Sequence, residues 1–577
     1  QTDIGRNHAR YFDANDWLYF TRERFDLFYP SYGDTWPTFN GAVGMTYEQG
    51  GSGRAGLAIR TTEGDTPTLR DRIDHHHTTC LSTVEVAARQ RQALLREFTT
   101  YFEKARTSPL GAYRTYVVKG TNAPGRLAAF AAHLDEQGIA YGYAAAARRD
   151  SGFAYHSGQE GPADIDPGDL LVSAHQPQSV LVQALFEPEA QLADSLTYDI
   201  TAWALPYAYN LEAYALADSL GTGAAQPPAR PDVQQPSGEE TPYAYLLEWQ
   251  SMEEAVFLSQ VLQAGVRVRF AERAFETDGH RYAPGTLILT RRGNEAMGAT
   301  FDRVVQEAAA GLSQPLRTVA SGLVTSGTDF GSSDVRFIEK PRVAVLSGET
   351  VSAYALGAVW HFFDQQIRYP VTLIDAADFQ VADVQDFDVL ILPSGSYGDL
   401  LTLECLANLR AWVRQGGRLV AMEGALSFLA GQEGFGLKQK ENGTSDDSLA
   451  QNTGLYGDRD REAISEDVPG SVHRIQMDVS HPLAFGFGAT YPTLKRSDEA
   501  YAYLKDGWNV GLLQGSGRPV SGFAGYKAQQ KIADTLVFGV EEMGRGSIVY
   551  LVDNPLFRGF WHGGKLVFAN AVFLVGQ

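Results

Sequence analysis

Asp388-Val389-Leu390-Ile391-Leu392-Pro393-Ser394-Gly395 and, one helical interval later, Gly416-Gly417-Arg418-Leu419-Val420-Ala421 decide how this chain folds. Each is a short apolar run bounded by Gly, Pro or Ser, the pattern of a strand buried on both faces. Between them, residues 400–415 carry apolar side chains at helical spacing. The same alternation precedes them, with a strand at 342–347, a helix at 353–366 and a strand at 371–375, and a strand over 418–422 follows. Strands alternating with helices predict a parallel, doubly wound sheet, the C-terminal unit of a multidomain α/β chain, over residues 340–577.

Working outward, a boundary falls at Thr107-Ser108-Pro109-Leu110-Gly111. A strand at 113–118, a helix at 125–137 and a strand at 139–144 read as a βαβ-like opening of a middle α/β domain, 109–338. Strand and helix at 169–172 and 179–186 follow, then a Gly-, Ala-, Pro- and Gln-rich connector at 221–240 that divides this domain into two possible halves. Strands at 243–249, 266–270 and 286–290 and helices at 252–264 and 294–310 complete it. The helix at 125–137 contains a formal His-x-x-Glu, His133 to Glu136, on a polar face that reads as solvated.

In the first 106 residues a helix is expected over 13–28, a buried strand at 42–47 and a second strand at 57–60. The first strand delivers Glu48 to a loop opened by Gly50, Gly51 and Gly53, the end of a strand where catalytic groups sit in open α/β sheets. A long helix or two at 69–102 follows and carries His75-His76-His77. Three adjacent helical residues diverge by about 100° each and cannot close on one ion; His76 with Cys80 is the one i,i+4 pair.

Upstream of Glu48 runs Phe28-Tyr29-Pro30-Ser31-Tyr32-Gly33-Asp34-Thr35-Trp36-Pro37, and downstream Leu69-Arg70-Asp71-Arg72. With Gly41-Ala42-Val43-Gly44-Met45-Thr46-Tyr47-Glu48-Gln49, this wording resembles the C-terminal part of a zinc carboxypeptidase domain of the carboxypeptidase A type, in large bacterial members, over about the first 105 residues. The resemblance implies a partial α/β peptidase unit at 1–106, Glu48 as the general base that polarises a zinc-bound water, and Tyr32 or Tyr29 as the tyrosine that closes over substrate. It also implies zinc as cofactor and a peptide or protein substrate in a secreted or periplasmic setting. The family binds zinc through a His-x-x-Glu pair and a later His, all N-terminal to the base. Only His8 precedes Glu48, so the zinc ligands are expected outside this chain, in a missing N-terminal segment, and the chain alone is expected to be inactive. Tyr198-Asp199-Ile200-Thr201-Ala202-Trp203-Ala204-Leu205-Pro206 is a further phrase of those bacterial proteins.

The C-terminal runs resemble the class I glutamine amidotransferase-like fold, flavodoxin-like in plan. Active members hold a cysteine at the sharp turn after the strand corresponding to 418–422; here the turn reads Met422-Glu423-Gly424-Ala425, without the nucleophile. Cys405 falls within a helix and reads as a small buried hydrophobe. Ser394-Gly395-Ser396 reads as a connecting turn, with an anion cradle as the alternative. Residues 434–460 are polar, a surface loop or lid.

The 577 residues carry 48 Lys and Arg against 69 Asp and Glu, net −21, a balance that disfavours nucleic acid and suits a protein kept soluble in high salt. No run is apolar enough to span a membrane, and the polar start shows no signal-peptide pattern. Two cysteines, Cys80 and Cys405, imply no disulfide framework. Two functions of different class follow: the C-terminal portion of a metallocarboxypeptidase, or a non-catalytic binding or scaffold protein built from a peptidase fragment and an inactive amidotransferase-like unit.

Overall fold

The computed structural model describes residues 1–21, 28–49, 58–61, 64–192, 197, 199–221, 241–379, 384–441 and 455–577. The glycines at 50, 51 and 53, Tyr198, nearly all of the connector at 221–240 and the centre of the polar stretch 434–460 lie outside them. The chain is a mixed α/β, multidomain protein with three principal sheets.

The C-terminal sheet bears out the parallel reading and extends it. Val371–Asp375, Val343–Ser347, Val389–Leu392, Arg418–Met422 and Gly546–Leu551 lie side by side in that order, all parallel. Four antiparallel strands then continue the sheet: Thr535–Met543, Trp508–Leu513, Ser471–Met477 and Thr490–Lys495. The sequence reading placed no strand in any of these four. In Ser471–Met477 polar residues such as Ser471, His473 and Arg474 interrupt the apolar pattern.

The middle region departs from the βαβ expectation. Thr115–Val118 is flanked by Leu170–Ser173 and Ala213–Leu216, antiparallel to both, in a six-stranded antiparallel sheet. The strand observed at Tyr141–Tyr143 pairs with Leu170–Ser173, not with Thr115–Val118. A hairpin of Arg148–Ala154 and Gln159–Ile165 forms the other edge, and its charged outer positions hid it from a search for apolar runs. Residues 244–338 form a five-stranded antiparallel sheet beside Met252–Gln263. The helix expected at 294–310 is a 3-10 turn, Glu295–Met297, and a helix, Thr300–Ala309, broken at Gly298 with φ +50°.

The terminal helix Gly564–Phe573 is buried along its whole length, as an all-round apolar helix must be. Its Asn570 accepts a 2.6 Å hydrogen bond from Trp249 Nε1 and donates to the carbonyls of Leu483 and Phe485 at 3.0 and 2.9 Å. One buried amide thus fastens the five-stranded unit to the antiparallel arm of the large sheet.

The first 107 residues are helical: Thr2–Ala14, Thr35–Phe39, Leu69–Arg89 and Arg91–Thr107. Three expectations fail here. The helix predicted at 13–28 has already ended at Ala14, because Asp16 takes φ +55°, and Phe20 is exposed. The strand predicted at 42–47 makes no ladder; Ala42 and Val43 are exposed and the segment is held by side chains instead. Of the strand at 57–60, Ala58 makes only an isolated bridge to Thr68.

Candidate functional site

Strand Arg418–Met422 ends at the carboxyl edge of the parallel sheet, and the chain turns sharply into the short helix Gly424–Leu429. Glu423 makes that turn at φ 45°, ψ −119°. For a residue with a Cβ this is a strained backbone, costing about 1–3 kcal/mol, and it persists only where the surroundings dictate it. Its N–H is held by the Leu551 carbonyl at 2.9 Å, and Gly424 N–H donates to Ser394 Oγ at 3.3 Å. A Cβ at Gly424 would stand 2.9 Å from that Oγ and 3.3 Å from the Gly395 carbonyl, so a side chain there would push the Ser394 hydroxyl aside and crowd the facing turn. The Ser394-Gly395-Ser396 turn is tied into the sheet edge, with Ser396 N–H on the Thr350 carbonyl at 2.8 Å.

The Glu423 carboxylate is itself engaged. Asn554 Nδ2 donates to one oxygen at 3.0 Å, and Arg496 stands 3.5 Å from the other. Burial nonetheless pushes the Glu423 carboxyl up and the Arg496 guanidinium down from their ordinary values. Next to them, Asp553 accepts from Thr493 Oγ1 at 2.9 Å and pairs with Lys495 at 3.2 Å, both charged side chains sealed from solvent. On the other flank Arg558 donates to Asp199 at 3.3 Å and stacks over Tyr29 and Phe557, each ring centroid 4.9 Å away. The elbow is thus packed with mutually satisfied charges, and Glu423 at its tip is an anchored carboxylate.

Tyr29 and Tyr32 sit on this flank. Tyr29 is buried against Trp203 and Phe560, and Tyr32 packs on Tyr29 at 5.3 Å and lies 5.8 Å from Arg558. Glu48 is exposed, on a segment pinned to the long helix by Tyr47 Oη to Thr83 Oγ1 at 2.9 Å and by Gln49 to His75 at 2.5 Å. The structure therefore brings Tyr29 and Tyr32 together with Arg558, and joins neither to Glu48 by a hydrogen bond or ring contact among the described residues. His76, His77 and Cys80 are exposed. Among the described residues no group of three His, Cys, Asp or Glu side chains could hold a metal ion, so the described residues do not by themselves fit zinc. Nor is any described helix long and apolar enough to cross a membrane.

A second feature escaped the sequence altogether. Where the six-stranded sheet, the five-stranded unit and the antiparallel arm meet, a cavity of about 780 Å³ opens, within the size range of small-molecule sites. Trp249, Tyr207, Phe487 and Tyr491 contribute aromatic wall; Arg126 reaches it from helix Pro124–Glu136 and Arg474 from strand Ser471–Met477. Its residues come from seven separated segments, so no local pattern announces it. The nearest signal was the aromatic phrase at 198–206, whose Pro206 leads into Tyr207 on the wall.

No protein-family profile matches the chain, and no curated protein resembles it in sequence. Solved structures do. A ThuA-like protein from Bacteroides uniformis ATCC 8492 aligns over 40% of this chain and 90% of its own, at 13% identity and TM-score 0.25. A glutamine amidotransferase from Thermotoga maritima aligns over 37% and 76%, at 10% identity and TM-score 0.24. A β-galactosidase from Bacillus circulans aligns over 40% and 30%, at 14% identity and TM-score 0.23. These proteins include class I amidotransferase and ThuA-like folds, and likenesses so distant say nothing about activity.

Proposed function

We propose that this chain is a non-catalytic ligand-binding protein, in which the amidotransferase-like unit supplies a wall and structural anchors where its active counterparts supply a nucleophile. The observation that supports this reading is the elbow: Glu423 keeps the strained turn, but Asn554 and Arg496 occupy its carboxylate. A carboxylate so anchored is held as a structural tie, whereas the cavity at the sheet junction is open and lined for recognition. A thermal-unfolding screen of the purified chain against small metabolites tests it. The expected result is saturable stabilisation by a restricted chemical class, following the linkage of ligand occupancy to stability. Turnover of glutamine or of a peptide by this chain, abolished by Glu423→Gln, would overturn it.

A second reading keeps the first 106 residues as part of a metallocarboxypeptidase. It is supported by the exposure of Leu69, Ile73, Leu81 and Val84 on Leu69–Arg89, which at about 100° per residue fall within roughly a third of the helix circumference. Leu95 and Phe98 of the next helix are exposed as well. A peptidase segment laid over this apolar stripe would bring the zinc ligands, with Glu48 as the base. In a reconstituted, zinc-loaded assembly Glu48→Gln is then expected to cut peptidase rate by about 10²- to 10⁴-fold. An unchanged rate would remove Glu48 from the role.

A further inference from the structure

Arg126 and Arg474 are the two arginines that line the cavity. The chain carries 69 acidic against 48 basic residues, and many of its arginines lie within 4 Å of a carboxylate. Arg126 and Arg474 do not: among the described residues their guanidinium groups donate only to carbonyls. Arg126 Nη2 bonds the Gly486 carbonyl at 2.6 Å and Nη1 that of Asn210 at 3.2 Å, while its plane lies 5.4 Å from the Phe487 ring centroid. Arg474 Nη1 bonds the His156 carbonyl at 3.1 Å and also that of Ser157. Each guanidinium has five N–H donors, so both retain donors beyond those bonds.

Both arginines line the cavity, and among the described residues around it the one carboxylate is Glu212. Burial outweighs the charge of nearby Glu254 and holds the Arg126 guanidinium down, to about 10. It stays charged at neutral pH, so a half-buried cation lines the cavity, and a bound anion would offset its desolvation. Tyr207 points the same way. Its side chain is 2% exposed, it lines the same cavity, and its hydroxyl is buried with no hydrogen-bond partner among the described residues. A buried hydroxyl without a partner costs about 1–3 kcal/mol and asks for an acceptor or donor from outside the protein.

We infer that this cavity binds a small organic anion, a carboxylate or phosphate carried on a planar or apolar body, with Arg126 and Arg474 holding the charge, Tyr207 Oη hydrogen-bonding it, and Trp249 and Phe487 packing on the body. The inference rests on the ligand-binding reading above and names the ligand class. Guanidinium forks match both carboxylate and phosphate oxygens, and the aromatic walls need a flat partner.

Calorimetric titration of the full chain with phenylacetate, phenyl phosphate and the neutral phenylacetamide tests it. The two acids separate carboxylate from phosphate, and the amide separates charge from body. At least one anion is expected to bind, the amide at least about tenfold more weakly, and the favoured anion to weaken about tenfold or more in Arg126→Leu. Because Arg126 also ties two backbone segments together, Arg474→Ala and Tyr207→Phe serve as milder variants, each expected to weaken the same anion without changing the unfolding temperature of the free protein by more than a few degrees. Equal or tighter binding of the amide would overturn the anion assignment and leave a ligand-binding cavity standing. Failure of all three probes to bind would overturn the assignment, and the metabolite screen would then decide the ligand-binding reading separately. Anion binding untouched by all three substitutions would place the site elsewhere and overturn it too.

Discussion

The two ends of this molecule hold their charges in opposite ways. In the first 107 residues ion pairs such as Arg10–Glu85 and Arg70–Asp74 lie in solvent, and few described apolar side chains are buried, among them Ile4, Tyr29, Val86 and Ala105. At the carboxyl edge of the C-terminal sheet, Lys495 and Asp553 are sealed and Glu423, Arg496, Asn554 and Thr493 interlock around them. The difference teaches where a change will be felt. An exposed pair is worth about 0–1 kcal/mol, whereas half of a buried pair, left alone, is an uncompensated charge in low dielectric.

The largest expected effect is therefore at Lys495. Lys495→Met leaves Asp553 buried with Thr493 as its remaining donor and should cost about 3–5 kcal/mol, read as a shift of the urea midpoint. Arg70→Met at the other end should shift it by no more than about 0.5 kcal/mol. Equal effects would dissolve the contrast.

Gly424→Ala comes next. The added methyl meets Ser394 Oγ and the Gly395 carbonyl, at 2.9 and 3.3 Å, and should cost about 1–3 kcal/mol. A neutral result would mean the two turns can separate freely.

Acid should act on the same sheet through His473. It is fully buried, its Nε2 is 2.9 Å from Ser471 Oγ, and burial, with Lys495 nearby, lowers its pKa to about 3. Unfolded, it would titrate near 6.5. The unfolded chain thus binds the extra proton between these values, and stability falls as pH drops from about 6.5 toward 3. His473→Leu should flatten that part of the stability profile; an unchanged slope would assign the acid sensitivity to other groups.

A smaller effect, of the same sign but at higher pH, is expected at Lys565. Burial lowers its pKa to about 8, and no described carboxylate pairs with it. The folded state holds its ammonium reluctantly, so stability rises as pH climbs from about 8 toward 10.5. Lys565→Met should stabilise the protein at neutral pH by about 1 kcal/mol and remove that rise, measured by denaturation at pH steps.

The same contrast explains what could be read from the sequence. The parallel strands at 343–347, 389–392 and 418–422 announced themselves because strands buried on both faces are unbroken apolar runs. The antiparallel sheet at 115–216 was mistaken for a βαβ unit because strand and helix alternate along the chain in either case, and pairing direction leaves no local mark. Residues 42–47 looked like a strand by composition and found no partner. At the site, the turn Met422-Glu423-Gly424 was legible as a place without a cysteine, but not as a strained elbow closed by Asn554 and Arg496, more than 70 residues away. Arg126, Tyr207 and Arg474 meet only through tertiary packing, so no spacing rule could assemble them.

The most direct test of the account is a calorimetric titration with phenylacetate and phenyl phosphate on the unaltered chain, on Arg126→Leu and on Leu81→Ser from the exposed N-terminal helix. Binding that is lost or weakened about tenfold in the first variant and intact in the second is the predicted result. Binding that survives Arg126→Leu and disappears with Leu81→Ser would place recognition at the helical end of the molecule and contradict it.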